Sequence, residues 1–224
     1  MAQTSDAALP VILCIHGHGH NGAIFRYQAK NIIQILGTKF RFVFVESPIE
    51  VSQPAIGVLP FFADFKPFRR WHHDESAVGQ LDVTAEDVVR ERNLVRNTIA
   101  ECIEKEQPVG VMAFSHGTRV ATALCLDPEL GANIKFAIMF CGFAGASPLT
   151  SGLEPRTIDM PSIYAQGSLD PWGAKAKQLS KSHFVQARLK IVKFRGGHEL
   201  PTQRADVVNI TKEILLVWDS VAAH

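Results

Sequence analysis

Three residues of this chain could do chemistry together, and each follows an apolar run at a glycine-punctuated break. Ser115 stands in Ala113-Phe-Ser115-His-Gly117, Asp170 in Gly167-Ser-Leu-Asp170-Pro171, and His198 in Arg195-Gly-Gly-His198. A serine hydroxyl is a weak nucleophile until a base takes its proton. An imidazole can do so at neutral pH, and a carboxylate can hold that imidazole in the right tautomer. The chemistry this set can perform is acyl transfer through a covalent intermediate. Taken singly, each residue has an ordinary reading: a capping serine, an aspartate in an Asp-Pro turn, a solvated loop histidine. Their order and their shared placement after strands favour the catalytic one. The turn around Ser115 follows the small-x-Ser-x-Gly pattern of a nucleophile elbow, with Ala113 where the pattern has glycine. Small residues are needed there because strand and helix pass close on either side of the serine.

A negatively charged oxygen develops in such a reaction, and two backbone N–H groups must face it. One is expected from His116, the residue after the nucleophile. The other is expected from the glycine-rich turn His16-Gly-His18-Gly-His20, at His18. The alternation His16, His18, His20, with His72 and His73, invites a metal reading. No carboxylate accompanies the run at ligand spacing, and a glycine-rich turn splays its side chains, so no metal site is assigned. His16 is expected to be a structural residue bonded beneath the loop. Phe61, Phe62, Trp71 and Trp172 are expected to wall a substrate pocket. The segment Trp71-His-His-Asp-Glu75 reads equally as pocket or as a surface loop with one packed Trp.

The elements that position these residues alternate. Val11–Ile15 is a continuous apolar run suited to a strand buried on both faces. A helix is expected over about Ala23–Leu36, with Ile24, Ile32, Ile35 and Leu36 inward and Gly37 ending it. A strand at Phe40–Val45 follows, then an irregular stretch of about 49–82 rich in Pro and Phe, read as a lid or pocket wall. Thr84-Ala-Glu-Asp87 opens a helix that ends near Lys105. Beyond the elbow, strands are expected at Phe136–Cys141, Pro161–Ala165 and Leu189–Phe194. Between the first two lies a Gly/Ser/Pro-rich connection. Helices are expected at Lys175–Phe184 and about Thr202–Val221. Such alternation predicts one α/β domain, residues 1–224, with a mostly parallel, doubly wound sheet and its site at the strands' carboxyl ends.

Composition sets the outer bounds. The chain has 224 residues, 46% hydrophobic and 20% charged, with a formal net charge of +1. That balance carries no electrostatic footprint for nucleic acid or an acidic membrane. No apolar run is long enough to span a bilayer. The first ten residues lack the basic and apolar regions of a secretory signal. Cys14, Cys102, Cys125 and Cys141 lie inside apolar patterns without C-x-x-C spacing, as buried free thiols would. A cytoplasmic protein is expected.

Four blocks in order carry a resemblance. They are Leu13-Cys-Ile-His16-Gly-His18-Gly-His20-Asn21 with Ile24-Phe25 and Gln28; Ala113-Phe-Ser115-His-Gly117; Gly167-Ser-Leu-Asp170; and Gly197-His198-Glu-Leu-Pro201. With them, nearly the whole chain resembles the FSH-type serine hydrolases, an α/β-hydrolase family with the same Ser…Asp…His order. The resemblance implies esterase or thioesterase activity without metal or organic cofactor. The chain is also similar to the thioesterases of fungal polyketide clusters, which release an acyl product from a synthase carrier protein. Such a partner would need a basic docking surface, to which Arg69, Arg70 and Arg119 could contribute. A general carboxylesterase is the alternative. A non-catalytic binding module has no need of all three of Ser115, Asp170 and His198.

Overall fold

Short apolar runs form the strands. The computed structural model describes residues 9–55, 57–73, 77–80, 82–142 and 157–222. Its strands are β1 (Val11–Ile15), β2 (Arg41–Val45), β3 (Ile49–Val51), β4 (Phe68–Arg70), β5 (Gly110–Phe114), β6 (Phe136–Phe140), β7 (Ser162–Gly167) and β8 (Leu189–Phe194). Six of them form one sheet in the order β2-β1-β5-β6-β7-β8, and every pair is parallel. The chain runs outward from β1 to β2, then crosses to β5 on the other side of β1. A crevice therefore opens at the carboxyl ends of β1 and β5, the topological switch point where ligands bind in such sheets. The histidine-rich turn and Ser115 both lie there.

The helices are α1 (Gly22–Gln28), α2 (Lys30–Leu36), α3 (Ala85–Glu106), α4 (Gly117–Leu126), α5 (Gly173–Ser182) and α6 (Arg204–Ala222). Strand side chains alternate between the two faces of the sheet. Ile12, Cys14, Met112, Ile138 and Phe140 pack with Phe25, Ile32, Leu36, Val207, Ile210 and Ile214 of α1, α2 and α6. Leu13, Ile15, Val111, Ala113 and Met139 pack with Val95, Ile99, Val120, Leu124 and Leu179 of α3, α4 and α5. The result is the three-layered α/β arrangement.

Two expectations are corrected. The helix over 23–36 is two helices, broken at Ala29, which caps both at φ −82° and ψ 1°. The break resets the helical phase, so Ile32 and Leu36 stay inward while Ile35 is 40% exposed. The stretch 49–82 is also not wholly irregular. Strands β3 and β4 pair antiparallel, Ile49 with Arg70 and Val51 with Phe68. Val58, Phe62 and Phe68 then gather on Ile24 as a small core of their own, joined by Val51 and Phe65. The N-terminal segment, Asp74-Glu75 and the Gly/Ser/Pro-rich connection after β6 lie outside the described residues, apart from its first residue Gly142 and its last few. All four cysteines are free; Cys14 and Cys141 are buried, Cys102 and Cys125 half-buried. Among the described residues no helix is long and apolar enough to cross a membrane.

Candidate active site

Ser115 occupies the sharp turn between β5 and α4 at φ 53°, a left-handed conformation that a non-glycine residue adopts only when its surroundings enforce it. Three bonds do the enforcing. Its N–H donates to the Phe140 carbonyl at 3.0 Å, and its own carbonyl accepts from the Thr118 N–H at 3.0 Å and the Thr118 hydroxyl at 2.6 Å. Gly117 packs against the carbonyls of Ile15 and His16, where any Cβ would collide with backbone. Ala113, by contrast, points its methyl into the α3–α5 core, so alanine there is compatible with the elbow.

His198 follows β8 and Asp170 follows β7. The two turns are tied together by the Ser168 N–H on the Phe194 carbonyl and the Leu169 N–H on the Gly196 carbonyl, both at 2.9 Å. His198 Nδ1 lies 3.0 Å from Asp170 Oδ2, and His198 Nε2 lies 2.8 Å from Ser115 Oγ. A carboxylate only accepts, so Nδ1 carries the proton and Nε2 presents a lone pair to the serine hydroxyl. The Asp170 side chain is fully buried. Burial pushes its carboxyl up, but the Trp172 N–H, His198 and the Cys141 thiol together hold it below the ordinary carboxylate range. It therefore stands ionised at neutral pH.

The histidine-rich turn is held as a rigid shelf. His16 is completely buried; its Nε2 accepts from the Ser47 N–H at 3.3 Å and its Nδ1–H donates to the Gly17 carbonyl at 2.8 Å. His20 donates from Nδ1 to the His18 carbonyl at 2.8 Å and lies 3.2 Å from the Gln28 side-chain amide through Nε2. Burial lowers the pKa of His16 to about 3 and of His20 to about 4, so both are neutral. Strand β4 docks on the same turn: the Gly19 N–H donates to the Arg69 carbonyl at 2.8 Å and the Arg69 N–H to the His20 carbonyl at 2.7 Å. Gly19, at φ 64°, lies against the Ala55 backbone with no room for a side chain. The N–H groups of Gly19 and His20 are thus turned inward to carbonyls of Arg69 and Gly17, whereas His18 is exposed on the cavity wall.

The elbow opens into a cavity of about 1010 Å³ lined by Ser115, His198, His18, His116, Phe62, Phe114, Tyr27, Trp172 and Leu200, among others. Phe62 and Trp172 line this cavity. Phe61 and Trp71 do not. Phe61 is 64% exposed and packs from outside, tilted against Tyr27 and edge-on to Phe62. Trp71 is fully buried beneath the turn, because its indole N–H reaches the His16 carbonyl at 2.7 Å and its ring lies against His16. Arg69 and Arg70 are both engaged in ion pairs with glutamates. Arg69 pairs with Glu46 and Glu50, and Arg70 makes a two-pronged, largely buried pair with Glu91. Arg119 alone of the three lines the cavity, where Lys30 and Lys175 join it.

His16 and His20 are both committed to backbone carbonyls, so the histidine run does not converge on a common point. Among the described residues, ligand-type atoms converge only at Cys141, Asp170 and His198, within 4.8 Å of one another. Those groups are already bonded: His198 to Asp170 and Ser115, the Cys141 thiol to the Glu199 carbonyl at 3.4 Å. Two residues at the site had little sequence signal. Gln166 is a polar residue that follows Ile163, Tyr164 and Ala165 near the end of β7, and Cys141 reads as an ordinary core thiol.

Known proteins resemble this chain in sequence and in fold. The serine hydrolase (FSH1) family profile matches residues 7–210. The chain is 42% identical to the thioesterase FSL2 of Gibberella zeae, over 98% of this chain and 96% of that protein. It is 31% identical to the esterase FUS5 of Gibberella moniliformis, over 90% and 87%. In fold it is similar to the Bacillus cereus carboxylesterase, with a TM-score of 0.59 at 15% identity over 95% of this chain and 90% of that one. It is equally similar to a carboxylesterase from Mesorhizobium loti, with a TM-score of 0.60 at 12% identity over 92% and 88%.

Proposed function

The chain belongs to the FSH1 serine hydrolase family, and from that premise we propose that it hydrolyses an acyl thioester, releasing a polyketide-type acyl product from a synthase carrier protein. The observation that carries the mechanism is the unbroken line of hydrogen bonds from Ser115 through His198 to Asp170, opening on the cavity.

In this mechanism Ser115 Oγ attacks the acyl carbonyl as His198 Nε2 takes its proton. Asp170 stabilises the imidazolium that results. The N–H groups of His116 and His18 receive the oxyanion. His198 then returns the proton to the departing thiolate, leaving an acyl group on Ser115. Water, deprotonated by His198, attacks that acyl-enzyme, and the carboxylic acid leaves with Ser115 restored. The balance is one thioester and one water to one acid and one thiol. No step requires a metal or an organic cofactor.

Two observations support the thioester. The relative that is 42% identical is a thioesterase. Arg119, Lys30 and Lys175 on the cavity wall suit the charged arm of a carrier-bound substrate. A second reading, a carboxylesterase for oxygen esters, is favoured by the esterase FUS5 at 31% identity. Steady-state hydrolysis of matched thioesters and oxygen esters decides between them. The expected result is preference for the thioester, with a loss of at least about 10³-fold in Ser115→Ala. Preference for the oxygen ester installs the second reading. Full activity in Ser115→Ala would sink the triad altogether.

A further inference from the structure

Gln166 is the penultimate residue of β7, just before Gly167, and reaches sideways to the triad acid. Its Nε2 lies 2.7 Å from Asp170 Oδ2, the same oxygen that faces His198 Nδ1 at 3.0 Å. The other oxygen, Oδ1, accepts from the Trp172 N–H at 2.9 Å. Because a carboxylate only accepts, chemistry settles which end of the Gln166 amide faces it: the NH₂ group. The amide oxygen then points the other way, buried and without a hydrogen-bond partner among the described residues. An orphaned buried acceptor destabilises a fold. A methionine or leucine would fill this place without that cost, and would suit a strand of Ile163, Tyr164 and Ala165 better. The feature that glutamine adds is the donor on Asp170.

We propose that Gln166 is a positioning residue of the catalytic apparatus: with the Trp172 N–H it fixes the plane of the Asp170 carboxylate, and by sharing Oδ2 with His198 it sets how strongly that carboxylate supports the imidazolium. The inference rests on the triad reading above. Two donors on two oxygens hold the carboxylate against rotation, so Oδ2 stays on the histidine. A donor on Oδ2 also draws off part of the charge that the histidine feels. Removing it leaves that charge undivided and favours the protonated ring.

Among the described residues, the ionisable groups facing the pair include Cys141 and Tyr164, which burial keeps protonated, and His20, which burial keeps neutral. Arg119, Lys175 and Glu199 line the cavity beside them. All are unchanged by a substitution at 166, so a shift in the pH profile reports on the Gln166 contact.

The test is the pH dependence of kcat/KM for the wild type, Gln166→Met and Gln166→Glu, with thermal melts on each. Gln166→Met keeps the length and loses the donor. Its acid limb is expected to move up by about 0.5 pH unit or more, with plateau kcat/KM about 3- to 30-fold lower. Gln166→Glu can donate to Asp170 only while its carboxyl is protonated, so its activity is expected to fall as pH rises and the bell to narrow. An acid limb unmoved in Gln166→Met overturns the inference, whatever its plateau. If that variant does not fold, a Gln166→Glu profile superimposable on the wild type overturns it instead. A wild type that hydrolyses neither esters nor thioesters removes the triad reading and this inference together; an active wild type with unshifted variants removes this inference alone.

Discussion

Two small residues flank Ser115, and the structure distinguishes them. Gly117 lies against the carbonyls of Ile15 and His16 and has no room for a methyl, whereas the Ala113 methyl belongs to the core. The elbow therefore tolerates alanine before the serine and requires glycine after it. Trp71 shows the same separation of look from role. From sequence it is an aromatic in a loop near the site; in the fold it is a pin, its indole N–H bonded to the His16 carbonyl under the histidine-rich turn. Trp71→Phe is expected to keep an aromatic ring but lose the bond and part of the buried indole volume, lowering unfolding stability by about 1–3 kcal/mol with acyl-chain preference unchanged. Urea unfolding and a series of acyl esters check this. A changed preference without lost stability would return Trp71 to the pocket wall.

Elements with strong local signals formed where the pattern placed them. At α3, the Thr84 side chain accepts from the Asp87 N–H while Asp87 accepts from the Thr84 N–H, a complete capping box. Thr84→Ala is expected to cost about 1 kcal/mol of stability and to leave kcat/KM unchanged, because the cap does not line the cavity. Parallel denaturation and kinetic measurements test that pairing of outcomes. Weak local signals failed. The break at Ala29 has no glycine or proline to announce it. Strands β3 and β4 have three residues each, too few to show a period of two. Their pairing becomes visible only when β4 is seen docked on Gly19 and His20.

At the scale of the whole molecule, the sheet places one crevice at the ends of β1 and β5 and brings four separate loops to it. Keeping the first of these loops rigid has a consequence for stability. His16 and His20 are buried and neutral, with pKa values lowered from 6.5 to about 3 and about 4. The unfolded chain takes up protons at both below pH 6.5, and the folded chain does not until near pH 4 and below. Stability is thus complete above about pH 6.5 and falls as pH drops toward 4. At pH 5 the loss is about 2 kcal/mol for each histidine. Denaturant midpoints between pH 7.5 and 5 are expected to fall accordingly, and His20→Gln is expected to flatten the slope. A midpoint indifferent to pH over this range would contradict the burial assigned to both rings.

What the sequence alone determined is whatever short-range chemistry announces. The strand runs, the Thr84 cap, the elbow at Ser115 and the carboxylate and base after later strands are all local patterns. Their order in the chain was enough to foresee a parallel α/β sheet and the three residues that meet at its edge. Only the tertiary structure decided which aromatics face the cavity and which support it, because Phe61, Phe62, Trp71 and Trp172 are alike in kind and differ in what packs against them. It also decided that Arg69 and Arg70 are held by Glu46, Glu50 and Glu91, and that Gln166 reaches Asp170. Ion pairs and side-chain hydrogen bonds between distant residues leave no period and no spacing in a chain. They exist only once folding has set the partners a few ångströms apart.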